Sequence, residues 1–589
     1  MKMRCFALLL LLFCTSQIIA AEDNTWRDKI ASDVMDRLMA GEEVEVIVAF
    51  TAQANLSMAS QLRGKAAKGR FVYEQVQTVA LESQKEVRQL LEVAGVKYQV
   101  FNIVNALYTK LDLALAARIA QQPEVANLQP NPWVMLDRPM PDLSLQSGSR
   151  EEVEWGVEAI QAPSVWNLGY RGAGAVIGGQ DTGYEWEHPT IQSQYRGWDG
   201  VEADHNYHWH DAIREISLLH EDSIVSPDNN PCGLDVNIPC DDHNHGTHTM
   251  GTMVGDDGGD NQIGVAPEAS WIGCRNMERG YGSPASYIEC FDWFLAPTDL
   301  DGLNPDPDAA PHVISNSWHC PEMEGCNPDN FALMEAAVDA LRAAGVVVVV
   351  SAGNDGSECG TIQNPATIFP SSFTVGAINS VDTVANFSSR GPVIVDESFR
   401  LKPNVVAPGV GVRSAVRNGG YATWNGTSMA APHVGGAVAL IISAVPELAG
   451  EVEQIETILE ETATPMPWEQ DCDPFPGMMV PNAVTGYGKI NVLAAVERAL
   501  ELVETTEVDD EDRWQVFPNP TNGVLWINGA MVEEPSPIRF FAADGRLVWS
   551  GNLRHTLESV DLGALPAGLY TYQIGVAGQA QVGRILIQK

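Results

Sequence analysis

The sequence predicts an α/β protein with a mainly parallel sheet covered by helices on both faces. A small α+β domain precedes it and a β-sandwich follows it. Three observations carry this expectation. From about residue 155 to 500, apolar runs alternate with helical stretches. The runs are Ala175–Gly179, Trp271–Arg275, His312–Asn316, Val346–Ser351 and Phe373–Ala377, and the helical stretches are Asn330–Ala344, Met429–Ala444 and Val452–Thr462. Near-continuous apolar strands between helices mark a parallel sheet buried on both sides. The preceding stretch reads β-α-β-β-α-β, and the last 75 or so residues read as short strands separated by turn residues.

A chain of 589 residues exceeds what one core usually supports, so several domains are expected. Met1 to about Ala21 reads as a signal peptide. Lys2 and Arg4 precede the apolar run Phe6–Phe13, and small residues Ala20-Ala21 close it. The run is too short for a membrane span. Bulky Phe13 before Cys14 argues against lipidation.

Residues 22–145 form the expected α+β domain. Its strands are Glu43–Phe50, Lys97–Phe101, Ala106–Leu111 and Val125–Pro130, with helices over about Tyr73–Ala94 and Leu113–Gln121. Arg138–Arg150, with Pro139, Pro141 and Gly148, reads as a cleavable linker. The α/β domain spans 151–500, an acidic linker 501–512, and the β-sandwich 513–589. In the last, Asp544-Gly545-Arg546 reads as a hairpin turn between Ile538–Ala542 and Leu547–Ser550.

The balance of 77 Asp+Glu against 35 Lys+Arg gives a net charge of -42. Nucleic acid and anionic membrane surfaces both need basic residues, so neither is an expected partner. Ten cysteines become eight once Cys5 and Cys14 leave with the signal peptide, an even number in an exported chain. Cys232/Cys240 and Cys320/Cys326 are close in sequence, and Cys274 and Cys290 flank one strand-to-helix connection. Cys359 and Cys472 are left over, and sequence alone does not fix the connectivity.

Four stretches concentrate chemistry. Gly426-Thr427-Ser428-Met429-Ala430 reads as a tight turn delivering Ser428 to the first turn of a buried helix. Free N–H groups and a partial positive charge there suit a nucleophile facing an oxyanion, although a plain helix cap would read the same. Asp181 ends a buried strand before Gly183, and Asn354 ends another in a glycine turn. Asp241-Asp242-His243-Asn244-His245-Gly246-Thr247-His248 is a dense histidine cluster without the Glu of a zinc-peptidase helix. Together they supply acid, base, oxyanion donor and nucleophile in the order Asp, His, Asn, Ser.

These residues carry a family resemblance. Asp181-Thr182-Gly183, His245-Gly246-Thr247-His248, Ala352-Gly353-Asn354 and Gly426–His433 resemble the four signatures of subtilisin-like serine peptidases. Gly264–Pro267, Lys402–Gly409 and Gly486–Asn491 also fit, while Trp293–Pro297 and Ser315–Trp318 are similar to the bacillopeptidase F branch. The resemblance implies a subtilisin-like three-layer fold and peptide-bond hydrolysis through an acyl-enzyme. It implies Ser428 as nucleophile, His245 as general base, Asp181 as its orienting acid, and Asn354 with the Ser428 N–H as oxyanion hole. Ser317-Trp318-His319 and Ser351-Ala352-Gly353 align with the walls of the primary specificity pocket. His319 and Gln363 stand where the family often has glycine, which narrows that pocket, and Asp355 favours a basic side chain there.

The resemblance requires no cofactor for the chemistry. Calcium is a frequent structural ion in the family, but no ligand set is matched here. The acidic loop with Glu202, Asp204, Glu221, Asp222 and Asp228 reads first as a solvated loop. Asn105-Ala106-Leu107 and Val125–Pro130 resemble the family's inhibitory propeptide, which implies a cut between about 135 and 155. Val516–Gly523, Leu565–Tyr570 and Gly583–Lys589 resemble the carboxy-terminal sorting domain of type IX secretion. The expected partners are therefore protein or peptide substrates, the chain's own propeptide and the secretion machinery, with a monomeric enzyme secreted or held at the cell surface. The rival expectations are a catalytically silent binding module of the same fold, and a metal enzyme using Asp242, His243, His245 and His248.

Overall fold

The computed structural model describes residues 25–136, 140–141, 153–220, 222–317, 328–505, 514–529, 535–542, 545–555, 557–575 and 581–588. The expected signal peptide, most of the 138–150 linker, most of the acidic linker, Glu221, Trp318, His319, Cys320, Cys326 and Asp544 lie outside the described residues.

At the centre is a seven-stranded sheet. Its spatial order is Val405–Pro408, Phe373–Ile378, Val347–Ser351, Val313–Asn316, Val176–Asp181, Ser270–Arg275 and Trp209–Asp211. Every neighbouring pair is parallel. The earliest strand in sequence, Val176–Asp181, sits inside the sheet with later strands on both sides. The winding therefore reverses at its carboxyl end, where open α/β sheets form a crevice. The strand Val347–Ser351 is buried at every position, as a sheet covered on both faces requires.

Helix Thr427–Ala444 crosses one face against Val313–Asn316, Val347–Ser351 and Phe373–Ile378. It is apolar and long enough to span a membrane, yet Thr427 to Ile442 are all buried in the protein core. Helix Pro284–Leu295 covers the opposite face together with Pro328–Ala343. The sequence pattern leaves Pro284–Leu295 unassigned because Tyr287, Ile288, Phe291, Phe294 and Leu295 bury it nearly all round. A helix without a polar face shows no 3.6-residue period.

The amino-terminal unit is a four-stranded antiparallel sheet ordered Tyr98–Phe101, Ala106–Leu111, Val44–Phe50, Val125–Pro130. The single helix expected over Tyr73–Ala94 is two, Lys65–Ser83 and Lys85–Ala94. The break is at buried Gln84, whose amide donates to Asn105 Oδ1 at 2.9 Å. The first helix also begins earlier than its polar sequence suggests. Lys68 is buried against the central unit, donating to the Gly450 carbonyl at 2.8 Å and pairing with Glu451 at 2.9 Å.

The carboxy-terminal residues form two antiparallel sheets. One holds Gln515–Phe517, Val524–Asn528 and Leu557–Asp561. The other holds Leu547–Leu553, Ser536–Phe541, Gly568–Ile574 and Gln581–Ile587. Leu525, Ile527, Ile538, Phe540 and Ile585 close the space between them. The described disulfides are Cys232–Cys240, Cys274–Cys290 and Cys359–Cys472.

Candidate active site

Asp181 is the last residue of Val176–Asp181, so its carboxylate projects into the crevice beyond the sheet. The chain then passes under the histidine loop at Gly183, with φ +102. A Cβ there would stand 1.8 Å from the Cys240 carbonyl oxygen, so only glycine fits.

Asp241 organises the loop above it. Its carboxylate accepts the N–H groups of His243, Asn244 and Thr247 at 2.8, 2.9 and 3.1 Å, and the Thr247 hydroxyl at 2.6 Å. Backbone donors at and just before the start of helix His245–Val254 are thereby satisfied by a carboxylate, which the helix dipole also favours. The Thr182 hydroxyl donates to Asp241 at 2.9 Å and accepts the Gly246 N–H at 3.0 Å, joining the two segments.

His245 Nδ1 consequently lies 2.8 Å from both oxygens of Asp181. A carboxylate only accepts, so Nδ1 carries the hydrogen and Nε2 is left as an acceptor. Nε2 is buried and has no hydrogen-bond partner among the described residues.

Ser428 is the second residue of Thr427–Ala444. Pro432, four residues on, has no N–H to give the Ser428 carbonyl. That carbonyl instead accepts the Ser317 hydroxyl at 3.4 Å, and the Ser428 hydroxyl donates to the Ser317 carbonyl at 3.4 Å. The structure therefore brings Asp181 and His245 into contact, while the Ser428 hydroxyl rests on Ser317 rather than on His245. Asn354 is set by the same helix start. Its Oδ1 accepts the Thr427 N–H at 2.9 Å and the Thr427 hydroxyl at 3.0 Å, which turns the Nδ2 donor end away from Thr427. The Gly353 N–H donates to the Thr427 hydroxyl at 3.2 Å, tying the end of strand Val347–Ser351 to the serine.

Nearby histidines are held neutral. Burial lowers His248 to about 3, with His245 adding to the effect, and lowers His433 to about 4. His248 stacks on Trp424 at 4.5 Å, and Asp242 pairs with Arg275 at 2.6 Å. Asp242, His245 and His248 thus engage different partners. Among the described residues no group of three or more His, Cys, Asp or Glu is placed to hold a metal ion. In the acidic loop, Asp204 accepts from Asn206, and Asp222 pairs with Arg279.

Ser317, Ser351, Ala352 and Gly353 are buried beside Ser428 and Asn354. Trp318 and His319 fall outside the described residues, while Asp355 and Gln363 are exposed. Sequence reasoning missed the organising roles of Asp241, Thr182 and Thr427. Each is a polar residue in or beside a motif, and its role appears only when two distant segments meet.

The cleft is occupied by the chain itself. Val134–Met135 pairs antiparallel with Tyr281–Gly282, and the Leu136 N–H donates to the Gly280 carbonyl at 2.7 Å. Beyond, Met140–Pro141 pairs antiparallel with Trp424–Asn425, just before Ser428. This is strand addition to two exposed edges, the way extended peptides are commonly held.

The model of the subtilase family matches residues 172–489. The chain belongs to the subtilase family. A second family model, the secretion system C-terminal sorting domain, matches 515–588. The subtilase is therefore an exported one, sent out by type IX secretion and released or attached at the cell surface. It is 33% identical over 502 residues to bacillopeptidase F of Bacillus subtilis (strain 168), covering 80% of this chain and 32% of that protein. It is 27% identical over 413 residues to subtilisin E of the same organism, covering 69% of this chain and 89% of that protein. With subtilisin DY of Bacillus licheniformis it shares 31% over 317 residues, 53% of this chain and 92% of that protein. The chain thus spans about a third of bacillopeptidase F and most of the length of the subtilisins.

Proposed function

We propose that this subtilase is a secreted serine endopeptidase made as a self-inhibited precursor. The observation that carries the reading is the two-oxygen contact between Asp181 and His245 Nδ1, on a helix that packs against the Ser428 helix. His245 Nε2 takes the Ser428 hydroxyl proton as Oγ attacks a peptide carbonyl, and later gives it to the leaving amine. Asp181 holds the tautomer and stabilises the imidazolium. The developing oxyanion is met by Asn354 Nδ2 and the Ser428 N–H, which lies in the first helical turn where backbone donors lack an intrahelical acceptor. Water then hydrolyses the acyl-enzyme. Side chains and backbone supply every step, and no cofactor enters. The enzyme acts as a monomer.

The amino-terminal unit is the inhibitor. Its tail pairs as an extended substrate would, Val134–Leu136 with Gly280–Gly282 and Met140–Pro141 with Trp424–Asn425 just before Ser428 in the chain. The first self-cleavage therefore falls between Leu136 and Met140. The carboxylate of Asp292 receives the Ile103 and Asn102 N–H groups at 2.7 and 3.3 Å, which keeps the cut unit in place.

A serine-directed fluorophosphonate probe tests the reading. The secreted protein becomes labelled on Ser428, and Ser428→Ala is neither labelled nor self-cleaved. Mass spectrometry of the wild type finds a new amino terminus at residues 137–140. Hydrolysis that survives Ser428→Ala refutes the peptidase mechanism. A first cut outside that window refutes the role given to the tail.

A further inference from the structure

Subtilases that bind peptides by strand addition need the receiving backbone held still. Here the receiving strand is preceded by Arg279, a non-glycine residue with φ +49, followed by Gly280 with φ +88. A left-handed arginine persists only where its surroundings hold it there. The Arg279 N–H donates to Asp242 Oδ1 at 2.8 Å, and Asp242 Oδ2 is fixed by Arg275 at 2.6 Å. The Arg279 guanidinium bonds to Glu278 and Asp222 and reaches the Ser217 carbonyl at 3.4 Å. Glu278 is fully buried and also accepts the Ser217 N–H at 3.0 Å and the Asn230 amide. His220, from the same long loop, packs edge-on against Tyr281 at 4.4 Å.

Resting on the proposed peptidase reading, we propose that Arg279 is a positioning residue for substrate backbone. Clamped between Asp242 of the histidine loop and Asp222 of the long acidic loop, it aims the Gly280 carbonyl at the substrate N–H that Leu136 now supplies. The acidic loop is thus the outer wall of the cleft, and its charges anchor the arginine. Arg279 contacts no reacting atom. Its effect falls on substrates long enough to reach Gly280, and not on the chemical step.

Substrate length separates this role from a general loss of structure. A single-residue activated ester reaches Ser428 but not Gly280–Gly282. A peptide extended by four residues on the amino side reaches all three. The ratio of their kcat/KM values, per active site titrated with the fluorophosphonate, reads the backbone contact alone. Arg279→Gln lowers this ratio at least fivefold, through KM more than kcat. Asp222→Asn, at a partly exposed carboxylate, lowers it by about twofold to threefold. An unchanged ratio in titratable Arg279→Gln protein overturns the proposal. If that variant yields no titratable protein, an unchanged ratio in Asp222→Asn overturns it instead. Absence of titratable serine in the wild type would sink the peptidase reading, a distinct outcome.

Discussion

Hold of the amino-terminal unit should weaken as pH rises from 5 to 8, and Asp292 sets the size of the effect. This residue lies on helix Pro284–Leu295 and receives two backbone N–H groups from the amino-terminal unit. Burial pushes its carboxyl up to about 7, with Glu289 adding to the rise and the Ile103 and Asn102 N–H groups and His210 opposing it. Tyr73, from helix Lys65–Ser83, faces the same carboxyl and is itself raised, by burial first and then by Asp292. Arg214 pairs with Glu289 at 2.6 Å nearby. Once the unit leaves, Asp292 meets water and returns toward about 3.9. The group is raised in the complex, so the complex holds the extra proton. Affinity is therefore fully present in acid and is lost as pH climbs through about 7. The whole shift would be worth ~4 kcal/mol at 1.36 kcal/mol per unit. However, Asp292 borders an open cleft of about 420 Å³ and keeps partial access to solvent. Half the value, ~2 kcal/mol or ~30-fold in dissociation, is the better expectation. The assay holds self-cleaved precursor at each pH, withdraws samples, and measures released activity at one common pH, so that any pH dependence of catalysis itself does not enter. Release quickens with pH in the wild type and is nearly flat in Asp292→Asn. A flat wild-type profile, or the same slope in both proteins, refutes the reasoning.

Two further outcomes follow from the site and its scaffold. Asp181→Asn leaves the fold intact but favours the wrong His245 tautomer, so kcat falls about 10⁴-fold. A loss below tenfold in steady-state hydrolysis would contradict the role given to Asp181. Opening Cys359–Cys472, which joins residues 113 apart, with Cys359→Ser and Cys472→Ala should cost about 2–4 kcal/mol of stability. Urea unfolding reads this directly, and a change under about 1 kcal/mol would show that packing alone holds the 359–472 region.

Five of the seven strands were legible as near-continuous apolar runs, while the short Val405–Pro408 and Trp209–Asp211 were not. Val347–Ser351 needs no partner in view to be recognised as a core strand, and the same holds for Phe373–Ile378. The helix Pro284–Leu295 was illegible for the same cause acting on a different period. The Cys274–Cys290 bond, between two fully buried residues, joins that helix to strand Ser270–Arg275. Sequence spacing suggested the two were related but did not fix the link. The Cys359–Cys472 bond has no local spacing to betray it, because loop closure over that length depends on the finished fold.

Around the site, legibility stopped at the residues given roles in the chemistry. Asp181, His245, Asn354 and Ser428 stand in short glycine-rich motifs because their backbones must turn sharply at strand ends and helix starts. The residues that aim them carry no such mark. Asp241 serves five donors from two segments, and Asp242 divides its oxygens between Arg275 and the Arg279 backbone. In sequence both are two more acids in a chain with 77. The charge excess read first as solubility therefore includes buried carboxylates with specific loads. The Glu278 and Asp242 side chains are fully buried, and each lies against an arginine. Removing one partner of such a pair typically costs 3–5 kcal/mol, because the other charge is left buried and alone. The cleft wall therefore holds its shape only while acids and arginines remain paired. The same pairing joins the His245 loop to the substrate strand, so the catalytic base and the peptide-binding edge cannot move independently.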